Sequence, residues 1–295
     1  MKIDTHVHTT CSDGKVSAAW IPRLASTFGI QLIAITDHDT ISAYPEAFLE
    51  AERCRIKLLP GVELSTKDED GHKDVHVVGL KIDTENMELR QELKQLADAR
   101  IDSRKRLLDN VNTHLSERYQ GWEPVRFDAV RRRTSGVIVG KPHIAAEIIE
   151  QARKLDIAIL KEDLYRIFRL PEVETKKAHE LTMEECIALI KKSGGLPVLA
   201  HPFEYARPDA VMKKFQRLGG VGVELCKYRH KTKVRAIREI EPYERIIMER
   251  QMNLKTVEMA QCYNLKLTAC SDYHGKGGEP GMETEEYGIN INWLL

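Results

Sequence analysis

The sequence predicts an α/β fold, a seven-stranded barrel interrupted by a helical insertion, and three observations predict it. Seven short apolar or β-branched runs have strand length, at 3–7, 32–36, 58–62, 75–80, 197–200, 221–225 and 267–269. Helix-like stretches such as 17–28 and 44–53 separate several of them, the alternation of a parallel sheet or barrel. That alternation stops between about Thr84 and Lys192, where Glu, Lys, Arg, Leu and Ala dominate and the apolar spacing becomes helical. Residues 1–83 and 193–295 are therefore expected to form the barrel, and 84–192 an inserted helical domain.

The first run, KIDTHVH, places His6 and His8 two residues apart, on one face of a strand and about 7 Å apart along it. In barrels of parallel strands the working side chains sit at the carboxyl ends, where both histidines fall. The pattern then recurs. LIAIT leads into His38, LLPGV into Glu63, DVHVV carries His76, PVLA leads into His201, and LTAC into Asp272 and His274. Six of the 11 histidines thus fall at strand ends beside carboxylates, while His72, His114, His143, His179 and His230 lie elsewhere. Imidazole with carboxylate is the ligand set of manganese, iron or zinc, and the absence of cysteine from it argues against a structural zinc knot. Asp37 and Asp39 flank His38; one of them is a candidate acceptor for its ring, and Asp39-Thr40 a candidate helix cap. Gly14 and Gly61 are expected to serve backbone geometry.

Within the insertion, 87–115 reads as one long helix. Thr182 with Glu185 is a capping box that opens another, ending before Gly194-Gly195. The GVIVGKP run at 136–142 interrupts the helical pattern.

A chain of 295 residues, 42% hydrophobic, has enough apolar material for a full core. Its 45 basic and 45 acidic residues cancel, so no global field draws in long nucleic acid and no stable complex with it is expected. Residues 99–140 nevertheless hold nine basic and five acidic residues, a local excess that can meet an anion. No run approaches the roughly 18 apolar residues of a membrane span, and MKIDTHVHTT opens without an apolar leader; a cytoplasmic location and no membrane partner are expected. The six cysteines are scattered with no C-x-x-C pair, as expected of reduced core residues.

H-x-H at the start, then S-D-G, T-D-H-D-T, G-x-E, a lone His, A-H-P and S-D-Y-H, in that order, resemble the PHP (polymerase and histidinol phosphatase) family. The resemblance implies a distorted seven-stranded barrel holding two or three divalent ions, manganese before iron or zinc, and hydrolysis of phosphate esters by a metal-activated water. It implies one ion on His6, His8, Glu63 and Asp272, a second on His76 and His201 with Glu63 as the bridge, and a third on Asp13, His38 and His274. Glu63, Asp13, His201 and Asp272 would serve the chemistry most directly. All nine positions hold competent ligands.

The chain is also similar to the branch acting on nucleoside 3′,5′-bisphosphates and on the 5′ ends of short oligonucleotides, which carries Asp13 in place of a third histidine and a helical insertion after the fourth strand. That insertion, expected to cap the substrate site, carries R-x-x-x-R and G-R-P-H in the branch. Here these are Arg100 with Arg104, and Gly140-Lys141-Pro142-His143. Two arginines four apart share a helix face and can clasp a phosphate. Lysine in the second motif keeps the charge but loses the bidentate fork. Tyr205 and Arg207, in HPFEYARP, are candidates for stacking a base and holding a phosphate, and Lys227, Tyr228 and Arg229 for reshaping the pocket. The expected partner is a small phosphorylated molecule, a nucleotide or short oligonucleotide. Competing readings are a phosphatase for a metabolite such as histidinol phosphate and a non-catalytic, metal-stabilised binding module. An amidohydrolase-type barrel also opens with H-x-H, but it uses a bridging lysine where Glu63 stands here.

Overall fold

The structure is a computed structural model that describes residues 1–134, 138–230, 234–276 and 278–295. Gly136 and Val137 of the expected interruption lie outside the described residues. In chain order the elements are β1 (Lys2–Val7), α1 (Trp20–Thr27), β2 (Ile30–Ile35), α2 (Tyr44–Cys54), β3 (Lys57–Ser65) and β4 (His76–Leu80). Then come α3 (Met87–Arg118), α4 (Phe127–Arg131), α5 (Lys141–Lys154), α6 (Lys161–Ile167), α7 (Met183–Lys192) and β5 (Leu196–Leu199). The chain ends with α8 (Pro208–Arg217), β6 (Gly222–Cys226), α9 (Arg235–Arg238), α10 (Pro242–Cys262), β7 (Lys266–Cys270) and β8 (Met282–Glu283).

The strands form one sheet in the order β7-β6-β5-β4-β3-β2-β1-β8. It curls into a nearly closed barrel because β1 and β7 meet at their ends, where His8 N–H donates to Tyr273 O at 2.9 Å and Asp272 N–H to His6 O at 3.0 Å. All seven expected strands are present. The expectation of parallel neighbours needs one correction: β4 runs antiparallel to both β3 and β5. The link between β3 and β4, residues 66–75, is shorter than the dozen or so residues a parallel crossover requires, so the chain turns back on itself. The reversal places His76, the first residue of β4, at the barrel end where the other strands finish. The eighth strand, two residues antiparallel to β1, carries no periodicity that a sequence reading could catch.

Side chains from all eight strands fill the barrel: Ile3, Leu32, Leu59, Val78, Val198, Leu225, Ala269 and Met282 belong to one buried cluster. Outside it, α1 and α2 cover β1 and β2 through Ile21, Ala25, Tyr44 and Ala47. The helix α7 and the first half of α3 cover β3 to β6, with Leu89, Leu93, Leu96, Ile187 and Ile190 packed on Leu64, Val77 and Val223. A separate core lies inside the insertion, where Leu107, Leu108, Val111 and Leu115 of α3 meet Ile144, Ile148, Leu164, Phe168 and Val173. Each such aliphatic side chain contributes about 1.5–3 kcal/mol when buried, so both halves of α3 are fixed by packing rather than by propensity. The helix opens where the Asn86 side chain accepts Leu89 N–H at 2.9 Å, and the capping box of Thr182 and Glu185 opens α7. No described helix is long and apolar enough to cross a membrane. All six cysteines are free, three of them buried.

Candidate metal centre

All nine predicted side chains converge at one end of the barrel. His6 and His8 project from β1 with their Nε2 atoms 3.0 Å apart. Glu63, on β3, stands between two groups of rings. Its Oε2 lies 3.3 Å from Nε2 of both His6 and His8 and 2.9 Å from His38 Nδ1. Its Oε1 lies 2.8 Å from His76 Nδ1 and 3.2 Å from His201 Nε2. Asp272 Oδ1 is 3.0 Å from His8 Nε2, and Asp13 Oδ1 is 3.2 Å from His274 Nε2. Except for Asp13, His38, Asp272 and His274 at the mouth, these residues are buried.

The backbone explains how the loops aim these groups. Gly14 packs so closely on the β1 exit that a Cβ would meet His8 O at 2.5 Å, which is why S-D-G can fold over His8 and present Asp13. Asp37 pins the same loop by accepting Thr9 N–H at 2.8 Å, Thr9 O–H at 2.6 Å and Ser12 O–H at 2.5 Å. His201 and Asp272 leave their strands with φ of 27° and 51°, a region that non-glycine residues enter at a cost.

Several partners of the rings were not legible as such in the sequence. Glu224, the middle residue of β6, contacts His6 Nδ1 at 2.9 Å; Asp74 contacts His76 Nε2 at 3.3 Å, and Glu204 contacts His201 Nδ1 at 3.4 Å. Glu224 is a lone carboxylate inside a fully buried apolar strand, and that is the signal that could have found it.

Electrostatically the centre is a buried network of mutually charged groups. Burial opposes the charge on His8, yet Asp272 and Glu63 outweigh it and raise its pKa to about 10. For His76 burial is likewise overcome, by Glu63 and Asp74, and the pKa rises to about 9. Burial works against the Glu63 carboxylate, but His38, His6 and His76 hold it well below the ordinary carboxyl range. For His38 burial prevails over Glu63 and Asp13 and lowers the pKa. Asp13 Oδ1, His38 Nδ1 and Glu63 Oε2 are buried and make no hydrogen bond. Ligand atoms of His8, Asp13, His38 and His274, of His6, His8 and Glu63, and of His38, Glu63 and His76 lie within 4.8 Å of one another in each group. Buried carboxylate oxygens and imidazole nitrogens turned toward one another in this way fit divalent cations of the manganese, iron or zinc type, which would take the place of the ring protons.

The insertion departs from expectation at several residues. Arg100 does not join Arg104 in a clasp: its Nε lies 3.1 Å from Asp39 Oδ2, its Nη2 contacts the same oxygen and lies 3.3 Å from Ser65 Oγ. The pair docks α3 on the barrel, and Asp39 takes this role rather than backing the His38 ring. Arg104, one turn further on, is 9% exposed, and its buried Nε makes no hydrogen bond. Burial and the neighbouring Arg100 charge lower its pKa to about 10. Lys141 is half-buried, its pKa lowered by burial and by Arg104. Gly140, just before it, sits with its would-be Cβ 3.7 Å from the Asp13 Cβ, so the start of α5 borders the centre. His143 accepts Gly140 N–H at 3.0 Å through Nδ1 and caps α5.

Tyr205 is no stacking platform. It is 7% exposed, donates to Ala200 O at 2.9 Å and accepts His76 N–H at 3.0 Å, tying the segment after β5 to the start of β4. Arg207 is exposed and lies against the 66–75 link, with Nη2 3.5 Å from Asp70 O. Lys227 donates to Glu279 O at 2.8 Å, and the Tyr228 ring is fully buried, so neither reshapes an open pocket.

An α/β barrel with a histidine and carboxylate cluster at one end defines the class of a metal-dependent hydrolase. The chain belongs to the PHP domain family, which matches residues 4–194, and it is a metal-dependent phosphoesterase. His201, Asp272 and His274 lie beyond that match and join the cluster through β5 and β7. A 5′-3′ exoribonuclease, Rnm, of Salmonella typhimurium is 33% identical over 219 residues, 73% of this chain and 69% of the relative. A 3′,5′-nucleoside bisphosphate phosphatase of Chromobacterium violaceum is 26% identical over 233 residues, 77% of this chain and 78% of the relative. The solved structure of an amidohydrolase from Chromobacterium violaceum superposes with a TM-score of 0.77 at 23% identity, covering 99% of this chain and 94% of that one, and shares the fold.

Proposed function

We propose that this chain hydrolyses phosphate esters of nucleoside 3′,5′-bisphosphates or of the 5′ ends of short oligonucleotides, using two or three divalent ions, manganese first, on the nine residues described. When bound, such ions supply charge neutralisation of the phosphoryl oxygens and an activated water. Glu63 then spans the two groups of rings, and Asp272 and Asp13 close them toward the mouth. His76 and His201 hold their rings on the far side of Glu63. The insertion, 84–192, caps the site.

The observation that carries the substrate class is Arg104. A buried guanidinium with an unused Nε, no carboxylate paired to it among the described residues, and Lys141 beside it is a strongly unfavourable arrangement for a protein alone. An anion brought by the substrate resolves it. The phosphate being cleaved occupies the metal centre, so the anion at Arg104 is a second phosphate. The names of the exoribonuclease and bisphosphatase relatives support the same class.

The test is a manganese-supplemented comparison of adenosine 3′,5′-bisphosphate, a 5′-phosphorylated short oligonucleotide, histidinol phosphate and p-nitrophenyl phosphate. The first two are expected to give the highest kcat/KM. A preference for histidinol phosphate would overturn the reading, and no turnover of any ester with metal bound would favour a binding module.

A further inference from the structure

Glu224 is a carboxylate that touches two of the residues of the metal centre, His6 and His201, from behind. It lies on β6 between the strands that carry His201 and Asp272, and it is fully buried. Its Oε1 and Oε2 lie 2.9 and 3.1 Å from His6 Nδ1, and Oε2 also accepts His201 N–H at 2.9 Å. Nδ1 and Nε2 are on opposite edges of an imidazole, and His6 Nε2 is the nitrogen 3.0 Å from His8 and 3.3 Å from Glu63. Glu224 therefore stands behind the ring. Among the described residues no lysine or arginine pairs with it; the nearby Cys226 Sγ, 3.9 Å from Oε2, is a weak donor at most. A carboxylate buried this deeply needs an occupied hydrogen-bond set, and its partners are two of the residues assigned to hold ions.

We propose that Glu224 is the positioning residue of the centre. By accepting Nδ1–H it holds His6 in the tautomer whose Nε2 lone pair points inward. By accepting His201 N–H it anchors the strained backbone, φ 27°, that turns the His201 ring toward Glu63. His6 and His201 lie on opposite oxygens of Glu63, so one residue outside the ligand set tunes both halves of the centre together.

This inference rests on the ligand assignment above. In Glu224→Gln the side chain keeps its shape, but one acceptor becomes an NH2 group that must face either His6 Nδ1–H or His201 N–H. Titration of the full-length protein with Mn2+ by calorimetry is expected to show affinity weakened by roughly 10- to 100-fold. The Mn2+ concentration needed for half-maximal turnover should move by the same factor. Glu224→Asp, which keeps both acceptors but retracts them, should fall between. Wild-type affinity in Glu224→Gln overturns the proposal, even if the metal-free melting temperature drops, because a merely structural role lowers stability alone. A measurement on the unmutated protein stands apart from any folding defect: in the zinc-loaded chain, histidine 15N NMR should find His6 protonated at Nδ1. A bare Nδ1 also overturns it. Failure of the wild-type chain to bind Mn2+ would remove the ligand assignment itself, a result distinct from a bound centre that ignores Glu224.

Discussion

The barrel end and the helical insertion treat charge in opposite ways. At the barrel end each of the six histidines lies within 4.0 Å of a carboxylate oxygen, and Glu63 alone serves five rings. In the insertion Arg104 is buried beside another cation, Arg100, whose own counter-charge, Asp39, is already taken. The first region holds its charges in balance before any ligand arrives. The second is left with a buried guanidinium that no described carboxylate pairs. Selectivity for a second phosphate is therefore expected to come from the region left with an unpaired cation, and chemistry from the region where every ring faces a carboxylate.

The largest effect should come from breaking the balanced region. Glu63→Gln removes the charge shared by both groups of rings, and kcat is expected to fall by about 10³-fold or more while far-UV circular dichroism and cooperative melting persist. Turnover near wild type would take Glu63 out of the centre.

A smaller and selective effect is expected from the region of the unpaired cation. Arg104→Met should lower kcat/KM for adenosine 3′,5′-bisphosphate by roughly 10- to 100-fold, the value of one charge-assisted contact, and leave p-nitrophenyl phosphate nearly unchanged. The same substitution should raise the melting temperature of the ligand-free protein, because it replaces an uncompensated buried charge with an apolar side chain. Equal losses on both substrates would make Arg104 a support of the centre, and the contrast between the two regions would fail.

The smallest effect sharpens the comparison through pH. With pKa values raised to about 10 for His8 and about 9 for His76, both rings carry a proton near pH 7 in the metal-free protein. A metal ion needs the neutral ring, so protons compete with it below these values and Mn2+ affinity should rise as pH increases from 6 to 9. Calorimetry at pH 7 in buffers of different ionisation enthalpy should register proton release on loading. Affinity independent of pH would show that neither ring surrenders a proton to the ion.

How much of this was legible follows from which signals are local. His6, His8, His38, Glu63, His201, Asp272 and His274 sit in or just after strands whose composition announces them, so a single rule about strand ends finds them. His76 obeys the rule only because β4 is reversed, and direction is set by the length of the 66–75 link, not by the apolar pattern within the strand. Arg100 looked like a phosphate ligand because its spacing to Arg104 is visible, whereas its partner Asp39 lies 61 positions away and leaves no trace in spacing. The partners of Tyr205 and Glu224 leave no trace in spacing for the same reason: hydrogen bonds to Ala200 O, His76 N–H, His6 and His201 N–H belong to the closed barrel.

The helix α3 gives the insertion a mechanical property. Its 32 residues make a rod of roughly 48 Å that begins in the barrel's outer core at Leu89 and ends in the insertion's own core at Leu115, with no loop between. The two cores are therefore indexed to each other like the wards of a key on one shaft. A single residue inserted between Leu96 and Leu107 would turn the distal core by about 100° and shift it about 1.5 Å, carrying the start of α5 away from Asp13. Changes of length in this family member should be tolerated at the far tip of the insertion, after Arg118, and rejected along the shaft.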